Sequence, residues 1–156
     1  MEYIGQRYKV SVDNLTLATS PSAYDLILFA PASNIPFAID HMLVTAAQTT
    51  GTILRAVLMR RSTASTGGTA VVPTPAGSPA APAASTTVTY LNTSTVGTAS
   101  GTPLDSQEWN ELAPYEYDVR PNGDLIVPGT WLCLYVPVAP SSGIQVSFTA
   151  EFTEYK

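Results

Sequence analysis

The clearest periodicity in the chain lies near its end. From Ile144 to Thr153, the residues Ile144, Val146, Phe148, Ala150 and Phe152 share one parity, and Gln145, Ser147, Thr149, Glu151 and Thr153 share the other. Alternation with a period of two predicts a strand with one buried and one wet face. Just upstream, Trp131 to Val138 is apolar at almost every position. That run predicts a strand covered on both sides. Ala139 to Gly143 separates the two, and the pair predicts an antiparallel hairpin that closes the domain.

Earlier segments carry the same signal. Arg7 to Thr19 predicts a first strand. Tyr8, Val10 and Val12 sit on one parity and Leu15 and Leu17 on the other, so a bulge near Asp13 and Asn14 is needed to keep all five inward. Tyr24 to Ala30 predicts a short, nearly all-apolar strand after the Ser20-Pro21-Ser22 turn. Phe37 to Ala47 is apolar on both parities and predicts a strand covered on both faces over part of its length, and Thr52 to Arg61, with apolar residues on both parities, predicts a strong strand. Asn122-Gly123 predicts a tight turn with positive φ. Pro103 to Leu112 comes nearest to an amphipathic helix, and it is no longer than about two turns.

Between Ser62 and Leu104 there is no charged residue. Pro, Ala, Ser, Thr and Gly dominate there, and Ser85 to Leu91 is β-branched enough to predict a strand. Val71, Val72, Val88, Tyr90 and Leu91 punctuate the segment, whereas a disordered linker lacks apolar anchors and carries charge. It therefore predicts an ordered excursion across the surface. Residues 1–6 predict an N-terminal arm, with Tyr3 and Ile4 available for docking. The expected organisation is this arm, then one domain over 7–156 that contains the excursion 62–104. About eight strands with Pro, Gly and Ser turns and almost no helix predict an all-β fold: an antiparallel β-sandwich, jelly-roll-like.

Composition narrows the function. Only 12% of the 156 residues are charged and the net charge is −5. A basic face for a phosphate backbone is missing, which argues against nucleic acid as a partner. Low charge also leaves little repulsion against association. No apolar run reaches transmembrane length, and the N-terminus lacks the pattern of a secretory signal. These features predict a protein made in the cytoplasm, with no membrane partner, that stays there or leaves as part of a particle.

Candidate chemistry is sparse. One cysteine, Cys133, falls in the most apolar predicted strand and reads as a buried thiol. One histidine, His41, falls mid-strand and reads as structural, since a histidine-based metal site or a serine triad needs more partners. Glu108 with Glu111, or Glu116 with Asp118, form carboxylate pairs of the kind that hydrolyse glycosides. A solvated acidic loop explains the same letters. Asp118, Asn122 and Asp124 make a loose calcium candidate whose spacing departs from the EF-hand loop. The expectation is no catalytic residue, no cofactor, no metal and no small-molecule substrate.

What remains is surface. Arg55, Arg60 and Arg61 cluster at one strand end, and the acids gather between Asp105 and Asp118. Opposite patches on one molecule permit head-to-tail packing about an axis. Tyr3, Ile4, Arg55, Arg60, Arg61, Trp109, Tyr115 and Tyr117 are the candidate interface residues. Trp109 and the tyrosines also read as a cap on one end of the core.

The order Gly67-Gly68-Thr69, a Pro/Ala-rich run, Ala84 to Tyr90, Ile126-Val127-Pro128-Gly129-Thr130 and a closing strand to Phe152 resembles small jelly-roll accessory proteins of tailed-bacteriophage virions. Many of these are capsid decoration, or cement, proteins. The resemblance covers the chain from about Phe37 onward and lies in motif order. It implies a non-enzymatic homotrimer on the capsid exterior that binds the major capsid protein at local three-fold positions. Two other functions fit the sequence. One is a receptor- or glycan-binding head of a phage fibre, with Trp109, Tyr115 and Tyr117 stacking on sugars. The other is a small hydrolase using Glu116 or Asp118.

Overall fold

A computed structural model describes residues 5–47, 52–77, 80–120 and 124–156. The predicted Asn122-Gly123 turn, Tyr3 and Ile4 lie outside these residues. Twelve strands are present among the described residues: β1 (Gly5–Thr16), β2 (Tyr24–Ala30), β3 (Phe37–Ala46), β4 (Leu54–Arg61), β5 (Thr69–Val71), β6 (Thr74–Pro75), β7 (Thr87–Asn92), β8 (Ala99–Trp109), β9 (Tyr115–Asp118), β10 (Leu125–Ile126), β11 (Trp131–Val136) and β12 (Gln145–Tyr155). Pro103 to Leu112 is mostly strand, within β8. Gly5 and Gln6, expected in an arm, pair with Tyr155 and Glu154 as the start of β1. Among the described residues no helix is long and apolar enough to cross a membrane.

The strands form two antiparallel sheets packed as a sandwich. One carries the order β9-β3-β12-β1 and the other β2-β11-β4-β8. The first strand lies beside the last, and the chain passes from sheet to sheet at nearly every connection. That is the jelly-roll order of two Greek keys. Four short strands extend it: β10 pairs with β3, β6 with β1, β7 with β2, and β5 with β7.

The expected closing hairpin does not form. β11 pairs with β2 and β4, whereas β12 pairs with β1 and β3 in the opposite sheet. The apolar set on each strand explains the separation. Leu132, Leu134 and Val136 face the core from one side, and Val146, Phe148, Ala150 and Phe152 face it from the other. Paired side by side, the two strands would share one sheet face. In opposed sheets they bury against each other.

Local features follow from composition. Register in β1 shifts between Val12 and Leu15, with Asn14 at φ 54°, so Leu15 and Leu17 return to the core. Asn tolerates the left-handed region better than most residues. Val127 to Thr130 closes a turn through Thr130 N–H to Val127 carbonyl at 3.1 Å, with Gly129 at φ 83°. A turn with Pro at its second position and positive φ at its third requires a residue such as glycine there. At the centre of the sandwich Phe152 meets Tyr8 at 5.6 Å, Phe29 at 5.8 Å and Phe37 at 5.8 Å, ring centroid to centroid.

The excursion 62–104 is woven into both sheets. β7 lines the outer edge of β2 and β6 lines the outer edge of β1. Open strand edges invite pairing with other chains. Here the neutral segment covers both edges on the same side of the sandwich. Glu154 pins it: this buried carboxylate accepts backbone N–H groups from Ser85 at 2.7 Å and Thr86 at 2.5 Å.

Candidate functional site

The most constructed polar feature is sealed. Arg61 ends β4, and its side chain crosses the outer face of β11 to reach Asp25 on β2. Nε donates to Oδ2 at 2.8 Å and Nη2 to Oδ1 at 2.6 Å. Nη1 donates to the Gly97 carbonyl at 2.7 Å. The Ser65 hydroxyl donates to Asp25 Oδ2, and Gly97 N–H donates to Ser65 Oγ at 2.8 Å. The guanidinium also lies 4.9 Å from the centre of the Tyr135 ring, a cation–π contact. Asp25 is 0% and Arg61 3% exposed. Burial works against the charge on Arg61, but the hydrogen bonds and charge of Asp25 outweigh it and raise its pKa.

Two chain segments form the lid over this centre. Ser62 N–H donates to Thr98 carbonyl, Thr66 N–H to Thr95 carbonyl and Ser94 N–H to Thr66 carbonyl, at 2.9, 2.9 and 3.1 Å. A Cβ on Gly97 would fall on the Thr63 carbonyl oxygen, so only glycine allows this approach. Cys133 lies beneath, fully buried; burial pushes its thiol well up, and Asp25 adds to the effect. A high thiol pKa and no access make it inert. Ser65 has a carboxylate acceptor in place of a general base. The centre is a buried, satisfied network that ties the excursion to the sheet.

The second feature lies open on the outer face of the other sheet. Register places His41 opposite Asp118, and Glu151 opposite His41 on its other side. His41 Nε2 is 3.1 Å from Glu116 Oε1. Asp118 takes three hydrogen bonds from Arg120: Nε to Oδ1 at 2.9 Å, Nη2 to Oδ2 at 2.6 Å and the backbone N–H to Oδ1 at 3.3 Å. Those bonds hold its carboxyl down to about 2. Glu116 and Asp118 do share a strand face, as their spacing predicts. Yet a general acid needs a raised pKa, and Asp118 is moved the opposite way. The calcium candidate also separates: Asp118 turns to Arg120, while Asp124 lies 4.0 Å from Arg60.

The expected interface residues divide by burial. Arg61 leaves the surface set because it is spent on Asp25. Trp109 and Tyr115 leave it too, being 3% and 0% exposed within the core. They cap the core, and they offer no flat ring to a sugar. Tyr117 is half-buried against the core. Arg55 and Arg60 are at least partly exposed. Arg55 faces Glu108 across the β4–β8 pairing and donates to Ser106 Oγ at 3.2 Å. The basic and acidic clusters are therefore neighbours within one chain, because β4 and β8 are adjacent strands.

A shallow groove of about 400 Å³ lies at the same end, lined by Ile53, Arg55, Glu108, Val138 and Pro140 among others. Ile53, Leu112 and Val138 are the exposed large apolar side chains nearest to it in the chain connections β3–β4, β8–β9 and β11–β12.

Sequence reasoning missed two residues that organise these features. Asp25 is the single acid in an apolar strand, which was a usable signal of a buried partner. Glu154 continues the inward parity of β12, and its burial was legible from that parity. Neither a family model, a curated protein nor a solved structure matches this chain.

Proposed function

We propose that this chain is a non-enzymatic structural protein of a phage virion, a capsid decoration protein that binds the shell as an oligomer, a trimer, and stabilises it. One observation carries the reading: among the described residues the sandwich interior is filled by apolar side chains and its most elaborate polar network is closed. The groove beside Ile53 and Val138 is shallow and lined by both charge signs. Fold alone does not assign function. Jelly rolls do recur in capsid and lectin domains, and a rigid, edge-covered body with low charge suits repeated contact on a lattice. Exposed Ile53, Leu112 and Val138 at one end supply apolar contact area. A ligand that prefers the mature shell stabilises that state by mass action.

The test is sedimentation of the purified chain alone and with expanded capsids. A trimer that co-sediments saturably with capsids supports the proposal. A monomer that stays in the supernatant overturns it. Binding on a glycan array in place of capsids favours the fibre-head reading.

A further inference from the structure

We propose that His41, Glu116 and Asp118 form a binding site for one zinc-class divalent cation, independent of the virion reading above. One ligand atom from each of the three lies within 4.8 Å of the others. Their backbones are braced side by side, since β3 and β9 pair with His41 opposite Asp118 and Leu43 opposite Glu116. Two ligands of a tetrahedral ion at about 2.0–2.2 Å stand roughly 3.4 Å apart. His41 Nε2 and Glu116 Oε1, at 3.1 Å, are already close to that separation. Only Asp118 has to turn.

Charge supplies a second argument. Glu116, Asp118 and Glu151 bring three carboxylates around the imidazole, and Arg120 sets one guanidinium among them. Lys9 stands opposite Glu151 on the far side, which leaves Glu116 and Asp118 as the carboxylates nearest the imidazole.

Arg120 is the competitor. It grips Asp118 through Nε and Nη2, and its Nη1 lies 3.9 Å from Glu151 Oε2. A cation that takes Asp118 leaves Arg120 with Glu151 as its carboxylate. The guanidinium is 43% exposed, so it is free to make that swing. An imidazole with two carboxylates suits zinc and its transition-metal neighbours, whereas magnesium and calcium prefer all-oxygen shells. Glu116 and Asp118 are open to solvent, which leaves a fourth position for water. No other nitrogen–sulfur set competes: the chain has one histidine, and its one cysteine is buried.

The experiment is calorimetric titration of the full chain with zinc chloride, alongside magnesium and calcium chloride. One zinc per chain is expected. His41→Ala and Asp118→Asn should each weaken binding by about tenfold or more, and Arg120→Ala should tighten it. Asp118 and Arg120 are exposed and His41 is half-buried, and circular dichroism checks that each variant folds. Zinc binding unchanged in His41→Ala overturns the proposal, as does absence of zinc binding in both the parent chain and Arg120→Ala. Calcium or magnesium bound as tightly as zinc overturns it too, because that marks a site made of carboxylates alone.

Discussion

Arg61 and Asp25 form a two-pronged ion pair between strands that do not touch: β11 runs between β2 and β4, and the Arg61 side chain spans it over Cys133. The pair is buried, and every arm of the guanidinium has an acceptor. Removing one partner of such a pair strands the other charge away from water, at about 3–5 kcal/mol. Arg61→Ala should lose that much stability in urea unfolding. The double replacement Arg61→Met with Asp25→Leu should recover most of it, since an apolar pair of similar volume often matches a buried salt bridge. A loss under about 1 kcal/mol in Arg61→Ala would show that water reaches Asp25.

Gly97→Ala tests the lid. Its Cβ meets the backbone oxygen of Thr63, and backbone cannot swing aside as a side-chain tip can. We expect about 1–3 kcal/mol of destabilisation, with the segments around 62–66 and 93–98 cut first in limited proteolysis. Cleavage no faster than in the parent chain would mean that the lid is held elsewhere.

Phe152 joins three other rings at the centre of the sandwich. Phe152→Ala should cost about 3–5 kcal/mol through lost transfer energy and a residual cavity. Thermal unfolding by calorimetry reads this directly.

Cys133 is a probe of unfolding. Its thiol is fully buried and its pKa raised by burial. Modification by a disulfide reagent at neutral pH should proceed only as fast as the protein opens, and should accelerate with urea in step with unfolding. Immediate labelling in native buffer would contradict the burial.

The acid side of the stability profile involves Asp118. Arg120 holds its carboxyl at about 2 against an ordinary 3.8. The unfolded chain therefore takes up this proton first as pH falls, so the pair stabilises fully above about pH 4 and progressively less down to about pH 2. Tyr24 gives the opposite arm. Burial lifts its hydroxyl to about 12 from 10.0. Its contribution is complete below about pH 10 and fades as pH rises towards 12. Arg120→Ala should return the Asp118 carbon resonance to an ordinary carboxylate midpoint, and a midpoint still near 2 would assign the shift to another cause.

Strand existence was readable because burial on one face imposes a period of two. Tyr24 to Ala30 was read with the limits the structure gives, and the bulge between Val12 and Leu15 was legible from the parity change alone. The candidate sites were not. His41 lies 75 residues from Glu116, and Arg61 lies 36 from Asp25. Nothing local couples these letters. Trp109 and Tyr115 read equally as surface rings or as core, because an aromatic residue among acids satisfies either pattern.

The sequence by itself determined the fold class, the sandwich form and the approximate places of the long apolar strands, since alternation and turn chemistry act within a few residues; β5, β6, β8, β9 and β10 carry too little alternation to be read that way. Only the tertiary structure decided partners. It sent β11 and β12 to opposite sheets, buried Arg61 against Asp25, set the basic and acidic clusters side by side, and brought His41 to Glu116 and Asp118. Strand pairing is chosen by which faces can be buried together across the whole chain. That choice depends on contacts far apart in sequence, which no local pattern encodes.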